Sequence, residues 1–191
     1  MLKDLVLRNR SYRRFDQSTR ITSAALYELC DLMRLTPSVR NAQPLKYFLV
    51  TTAEACARVF PLLGWAGYLK DWDGPEEGER PTAYVVLLGD KTISENFNID
   101  PGIEAQTLLL GAVEQGLGGC ILATVRRDEL KTLLEIPQHC DILYVIALGK
   151  PVEKVVLEQI GADGDFKYWR DAQNVHHVPK RALTDLIIGE K

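Results

Sequence analysis

No apolar run in this 191-residue chain approaches the roughly 20 residues needed to cross a bilayer. The N-terminus lacks the pattern of a secretory signal, because Lys3, Asp4 and Arg8 interrupt it. Cysteine is scarce and scattered: Cys30, Cys56, Cys120 and Cys140 form no C-x-x-C pair, which argues against a disulfide framework or a zinc-finger module. His139 beside Cys140 is the one adjacency of metal-type ligands and is read as coincidence, so no metal is expected. Positive charge is not in excess either. The formal net charge is −3 and the pI about 5.7, which disfavours nucleic acid as a partner. Repeats and low-complexity tracts are absent. The expectation is one globular, cytoplasmic domain spanning 1–191, with free thiols and no membrane contact.

Against that acidic background, Arg8-Asn9-Arg10-Ser11-Tyr12-Arg13-Arg14-Phe15 places four guanidinium groups and a hydroxyl in eight residues. Guanidinium forks suit bidentate recognition of phosphate or carboxylate, and a small hydroxyl can donate to the same anion. A solvated basic turn and a basic nucleic-acid arm remain open readings of the stretch taken alone.

Leu26, Leu29, Cys30 and Met33 share one face of a helix predicted over 23–35, with Thr22 or Ser23 as its N-cap and Pro37 as its stop. The next segment, Pro37-Ser38-Val39-Arg40-Asn41-Ala42-Gln43-Pro44, reads as an ordinary turn-rich loop or as a ligand-lining loop in which Asn41 and Gln43 offer donors and acceptors. Strands are predicted at 46–51, 83–88 and 142–148, the second buried and central because it is apolar throughout. Residues 64–81 hold four glycines and two prolines among acidic residues and form a long irregular loop. Its aromatics, Trp65, Tyr68 and Trp72, are either a wall over a flat ligand or anchors for the loop.

Asp100-Pro101-Gly102 is a helix start with Asp100 as N-cap. The helix over 102–116 is apolar nearly all round, so it is buried in a core or a subunit interface, and Gly111 allows a neighbouring helix to come close. Gly116-Leu117-Gly118-Gly119-Cys120 lacks G-x-G-x-x-G spacing and follows a helix rather than a strand, so no dinucleotide fingerprint is present. A short helix is expected over 128–135. The last forty residues look less regular, with adjacent histidines at 176 and 177 facing opposite sides of an extended chain. Lys180-Arg181 is a second cationic pair, followed by an amphipathic segment at 182–188.

Taken together, these motifs resemble the FMN-dependent nitroreductase family over essentially the whole chain. The resemblance rests on the 10–15 stretch, the 37–44 loop, the Asp100-Pro101-Gly102-Ile103 helix start, the Gly-Gly-Cys run and Lys180-Arg181. Asn9 stands where the family often has a second arginine, and Leu45 where an aromatic is common. The resemblance implies an α+β nitroreductase-like fold, a mixed central sheet flanked by helices, and an intertwined homodimer. It implies FMN held at its phosphate end by Arg10, Ser11, Arg13, Lys180 and Arg181. Pro37, Ser38, Val39, Asn41 and Gln43 of the other subunit would line the flavin, and backbone amides of Leu122, Ala123 and Thr124 would face its N5 edge. Trp65, Tyr68, Lys70 and Trp72 are the candidate substrate contacts. The implied activity is ping-pong electron transfer from NAD(P)H to a nitroaromatic or quinone-type acceptor, with no side chain assigned as acid or base. Reductive dehalogenation, ring cleavage or a non-enzymatic flavin-binding module are the alternatives on the same fold.

Overall fold

A computed structural model describes residues 1–191 and divides them into two compact units: 1–65 with 74–152, and 66–73 with 153–191. The fold is α+β, as the family resemblance implies. The first unit contains α1 (Leu2–Arg8), α2 (Ser23–Arg34), β1 (Leu45–Val50), α3 (Ala53–Val59), β2 (Ala83–Asp90), α4 (Asp100–Glu114), β3 (Gly118–Leu122), α5 (Arg127–Leu133) and β4 (Cys140–Gly149). Its four-stranded sheet has the order β1-β2-β4-β3, with every pair antiparallel. All eight residues of β2 are buried, as its unbroken apolar run predicts.

Helices α2 and α4 cover one face of this sheet. Leu26, Leu29, Cys30 and Met33 of α2 meet Ala105, Leu108, Leu109 and Ala112 of α4 over Val85, Leu87, Ile146 and Leu148. Each fully buried leucine or valine among them contributes about 1.5–3 kcal/mol. Thr22 caps α2 by accepting from the Ala25 amide. A Cβ on Gly111 would lie 2.5 Å from a Leu32 methyl and 3.1 Å from one on Leu29, so the predicted close approach of helices is present.

Two details depart from the sequence expectations. Asp100 is the first residue of α4 and not its cap; Ile99 holds the cap position without a side-chain bond, and the Asp100 carboxylate is engaged elsewhere. The glycines at 118 and 119 lie inside β3 instead of preceding it, while the left-handed exit from α4 falls at Gly116 (φ 74°).

The second unit is more regular than its sequence suggests. It holds β5 (Val155–Gln159), β6 (Trp169–Arg170) and β7 (His176–Lys180) in the order β5-β7-β6. β5 runs parallel to β7, and β6 antiparallel to it. Arg170 forms a 2.7 Å ion pair with the fully buried Glu153 and lies 4.5 Å over the Trp72 ring. His176 is buried and His177 partly exposed, as alternation along a strand requires.

Candidate functional site

The four arginines of the N-terminal strip have different partners. Arg8 pairs with Asp4 at 2.9 Å. Arg14 makes a bidentate pair with Glu79, Nε to Oε2 at 2.5 Å and Nη2 to Oε1 at 2.6 Å. Arg13 is buried, with Nη1 donating to the Ser11 carbonyl at 3.1 Å. Arg10 donates through Nη2 to the Val6 carbonyl at 2.6 Å, but its Nε is buried with no hydrogen-bond partner. A buried N–H that is both charged and unsatisfied is costly, and an anion at that point would satisfy it.

The strip lies along the edge of β3. Ser11 bridges Gly119 in parallel, the Tyr12 amide donates to the Gly119 carbonyl at 3.0 Å, and Phe15 bridges Pro151. A Cβ on Gly118 would come within 2.6 Å of the Tyr12 ring of the strip, and one on Gly119 within 2.4 Å of the Ala147 carbonyl of the neighbouring strand β4. Motifs more than a hundred residues apart, 10–13 and 118–120, thus form one edge. β3 then leads to Leu122, which is buried, and to Ala123 and Thr124, which are exposed. The carbonyls of the latter two are taken, Ala123 by Arg127 at 3.1 Å and Thr124 by the Gly64 amide at 2.8 Å.

The 37–44 loop borders a cavity of about 420 Å³ lined by Val39, Arg40, Ala42 and Pro44 together with Ile93, Ser94, Asn96, Asn98 and Asp100. Asn96 and Asn98 escaped the sequence reading because they stand in a polar connector with no motif. Three non-glycine residues of the loop have left-handed backbones: Arg40 (φ 56°), Asn41 (φ 54°) and Gln43 (φ 50°). The Ser38 hydroxyl donates to Asp100 Oδ2 at 2.6 Å and accepts from the Gln43 amide at 2.9 Å. Asn41 and Gln43 are exposed, with the Gln43 side-chain amide donating to the Asn41 carbonyl.

Among the aromatics of 64–81, Trp65 has the geometry of an anchor. It is 9% exposed, its ring lies 5.7 Å from that of Phe60, and Gly74 sits so close that a Cβ there would come within 2.6 Å of the indole. In the second unit, Tyr68, Lys70 and Trp72 line a cavity of about 560 Å³ with Trp169, Arg170 and Asn174. Lys180 ends β7, and Lys180 and Arg181 are both exposed.

Glu104, on the α4 turn after Asp100, was not singled out by sequence. It is buried, accepts from the Tyr47 hydroxyl at 2.6 Å, and its carboxyl is lifted to about 7, chiefly by burial. Burial likewise pushes the neighbouring Cys30 thiol up to about 11. At the far end of β2, Asp90 comes within 4.8 Å of His139 and Cys140. Its Oδ1 accepts from the amide and hydroxyl of Thr92 at 2.9 and 2.6 Å, so it caps the turn after β2. Burial raises the Cys140 thiol above its usual value. All four cysteines are buried and unpaired with one another.

The nitroreductase family model matches residues 6–150. Solved structures agree. A protein from Parabacteroides distasonis described as an NADH dehydrogenase/NAD(P)H nitroreductase is 25% identical, with 80% of this chain and 88% of that one covered and a TM-score of 0.65. A nitroreductase family protein from Streptococcus pneumoniae is 15% identical and is matched over the full length of both chains with a TM-score of 0.71. A protein from Exiguobacterium sibiricum described as a nitroreductase, solved in complex with FMN, is 16% identical over 80% of this chain and 89% of its own, with a TM-score of 0.67.

Proposed function

Because the chain belongs to the nitroreductase family, we propose that it is an FMN-dependent oxidoreductase using NAD(P)H and a small organic acceptor of nitroaromatic or quinone type. The observation that carries this reading is the buried, partnerless Nε of Arg10 beside the Ser11–Gly119 edge. It fits a phosphate, whereas Arg14 is neutralised by Glu79 and is structural. Bound FMN would supply two-electron chemistry, serving donor and acceptor in turn at one site.

In this reading Arg10, Ser11 and Arg13 hold the phosphate. Pro37, Ser38, Val39, Asn41 and Gln43 reach in from a second copy of the chain to line the ring. The amides of Leu122, Ala123 and Thr124 donate to its N5 edge, where fixed donors stabilise added negative charge without an ionisable side chain. Tyr68, Lys70 and Trp72 contact the acceptor. The protein works as a homodimer in the cytoplasm.

The test begins with the visible spectrum of protein reconstituted with FMN, before and after anaerobic NADH or NADPH. Flavin bands that bleach with either donor support the reading. A protein that stays colourless with added FMN overturns it. Arg10→Ala is expected to weaken FMN binding about tenfold to a hundredfold, the worth of one charge-assisted bond.

A further inference from the structure

The backbone of the 37–44 loop is unfavourable by itself. Left-handed conformations cost L-residues roughly 1–2 kcal/mol each, less for asparagine, and Arg40, Asn41 and Gln43 all adopt them. Such a conformation persists only where its surroundings impose it. Here the surroundings converge on one carboxylate. Asp100 Oδ2 accepts from the Ser38 hydroxyl at 2.6 Å and Oδ1 from the Val39 amide at 3.0 Å. The same hydroxyl accepts from the Gln43 amide at 2.9 Å, so Asp100 fixes both limbs of the loop through a single serine. Beyond Gln43, the Pro44 carbonyl accepts from the Asp90 amide at 2.8 Å.

Asp100 is 2% exposed and is the first residue of the fifteen-residue helix α4. Its charge therefore lies at the positive end of the helix dipole, and its position is fixed by a long buried element. That location explains why Asp100 does not cap its own helix: the carboxylate is turned outward to hold the loop.

We propose that Asp100 is the positioning residue of the flavin site, holding the strained 37–44 loop in its ligand-lining shape through Ser38 and Val39. This role rests on the FMN reading above. Its consequence is that the loop is shaped before any ligand arrives, so the cost of ordering it is not charged against ligand binding.

The test compares wild type with Asp100→Ala, Asp100→Asn and Ser38→Ala. Amide hydrogen exchange on protein without FMN is expected to rise about tenfold or more at Val39 and Gln43 in Asp100→Ala, with the β2 and β4 amides unchanged. FMN affinity is expected to fall about tenfold to a hundredfold, and the visible band envelope of the bound flavin to shift. Asp100→Asn, which keeps an acceptor for Val39, should recover part of both effects. Ser38→Ala, which leaves the Val39–Asp100 bond in place, should raise exchange chiefly at Gln43, and the double variant should be no worse than the more affected single variant. Ser38→Ala carries the test alone if Asp100→Ala does not fold. Unchanged exchange at 39–43, or unchanged FMN affinity and spectrum, overturns the proposal while leaving FMN binding by wild type intact. Failure of wild type to bind FMN overturns both readings, and the wild-type titration separates that result from the others.

Discussion

Glu104 is a carboxyl placed where its charge is poorly solvated, and its titration gives a signed prediction. Its folded value of about 7 lies above the 4.5 ordinary for a glutamate carboxyl. The folded state therefore binds the proton more tightly than the unfolded chain does. Stability is unaffected well below 4.5, falls as pH rises from there to about 7, and stays reduced above it. The shift corresponds to about 3 kcal/mol. Glu104→Gln keeps an acceptor for Tyr47, so urea unfolding should show the variant more stable than wild type at pH 8 and nearly equal to it at pH 4. A variant less stable at pH 8 would refute the assignment. The arginine strip behaves oppositely. Arg14→Ala should lower unfolding stability through loss of the half-buried Glu79 pair while leaving FMN affinity nearly unchanged, the reverse of Arg10→Ala. The sequence made the cluster conspicuous but could not apportion it. Glu79 is sixty-five residues from Arg14, and only the folded path shows which guanidinium group it takes.

Elements with a strong hydrophobic signature were legible: α2 from its apolar stripe, β2 from its unbroken run, and α4 from its nearly all-apolar surface. The second sheet was not, because β5, β6 and β7 are short, partly exposed and mixed in composition. The 37–44 loop was legible as polar and proline-bracketed. Its left-handed residues were not, since arginine and glutamine do not announce a positive φ as glycine does. β3 supplies the prediction at this scale. Gly119→Ala would drive a methyl to 2.4 Å from the Ala147 carbonyl, a backbone atom that cannot swing aside. The expected cost is about 1–3 kcal/mol in denaturant unfolding, accompanied by weaker FMN binding because Ser11 lies against the same residue. Loss of stability without loss of affinity would mean that the Ser11–Gly119 edge is not part of the cofactor site.

At the scale of the whole molecule, the two units should answer pH separately. In the second unit, the His177 ring lies 3.2 Å from both Asp171 and Glu158 and stacks on Trp169 at 4.0 Å. Its pKa is raised above 6.5, first by the hydrogen bond to Asp171 and then by Glu158. The stabilisation is fully present below the unfolded value and is lost as pH rises through the folded one. Amide exchange in β6 and β7, corrected for the intrinsic rate, should therefore quicken as pH goes from about 6 to about 9. His177→Gln should abolish that dependence while leaving β2 and β4 unaffected; a wild-type profile flat with pH would exclude stabilisation by the His177 contacts to Asp171 and Glu158. The proposed homodimer is checked by light scattering, which should give twice the 21.5 kDa of one chain.

The docking of the N-terminal strip against residues 119 and 151 also sets an order of events during synthesis. Ser11 and Phe15 leave the ribosome with their bridge partners, Gly119 and Pro151, more than a hundred residues behind them. Helix α2 can form early from local contacts, but the strip has no edge to lie against until β3 and the end of β4 have emerged. Such distant closures are slow and come late. A nascent chain halted before residue 119 could already pair Arg14 with Glu79 but would hold Arg10 and Ser11 away from any β3 edge, so the proposed phosphate pocket would be completed only towards the end of translation.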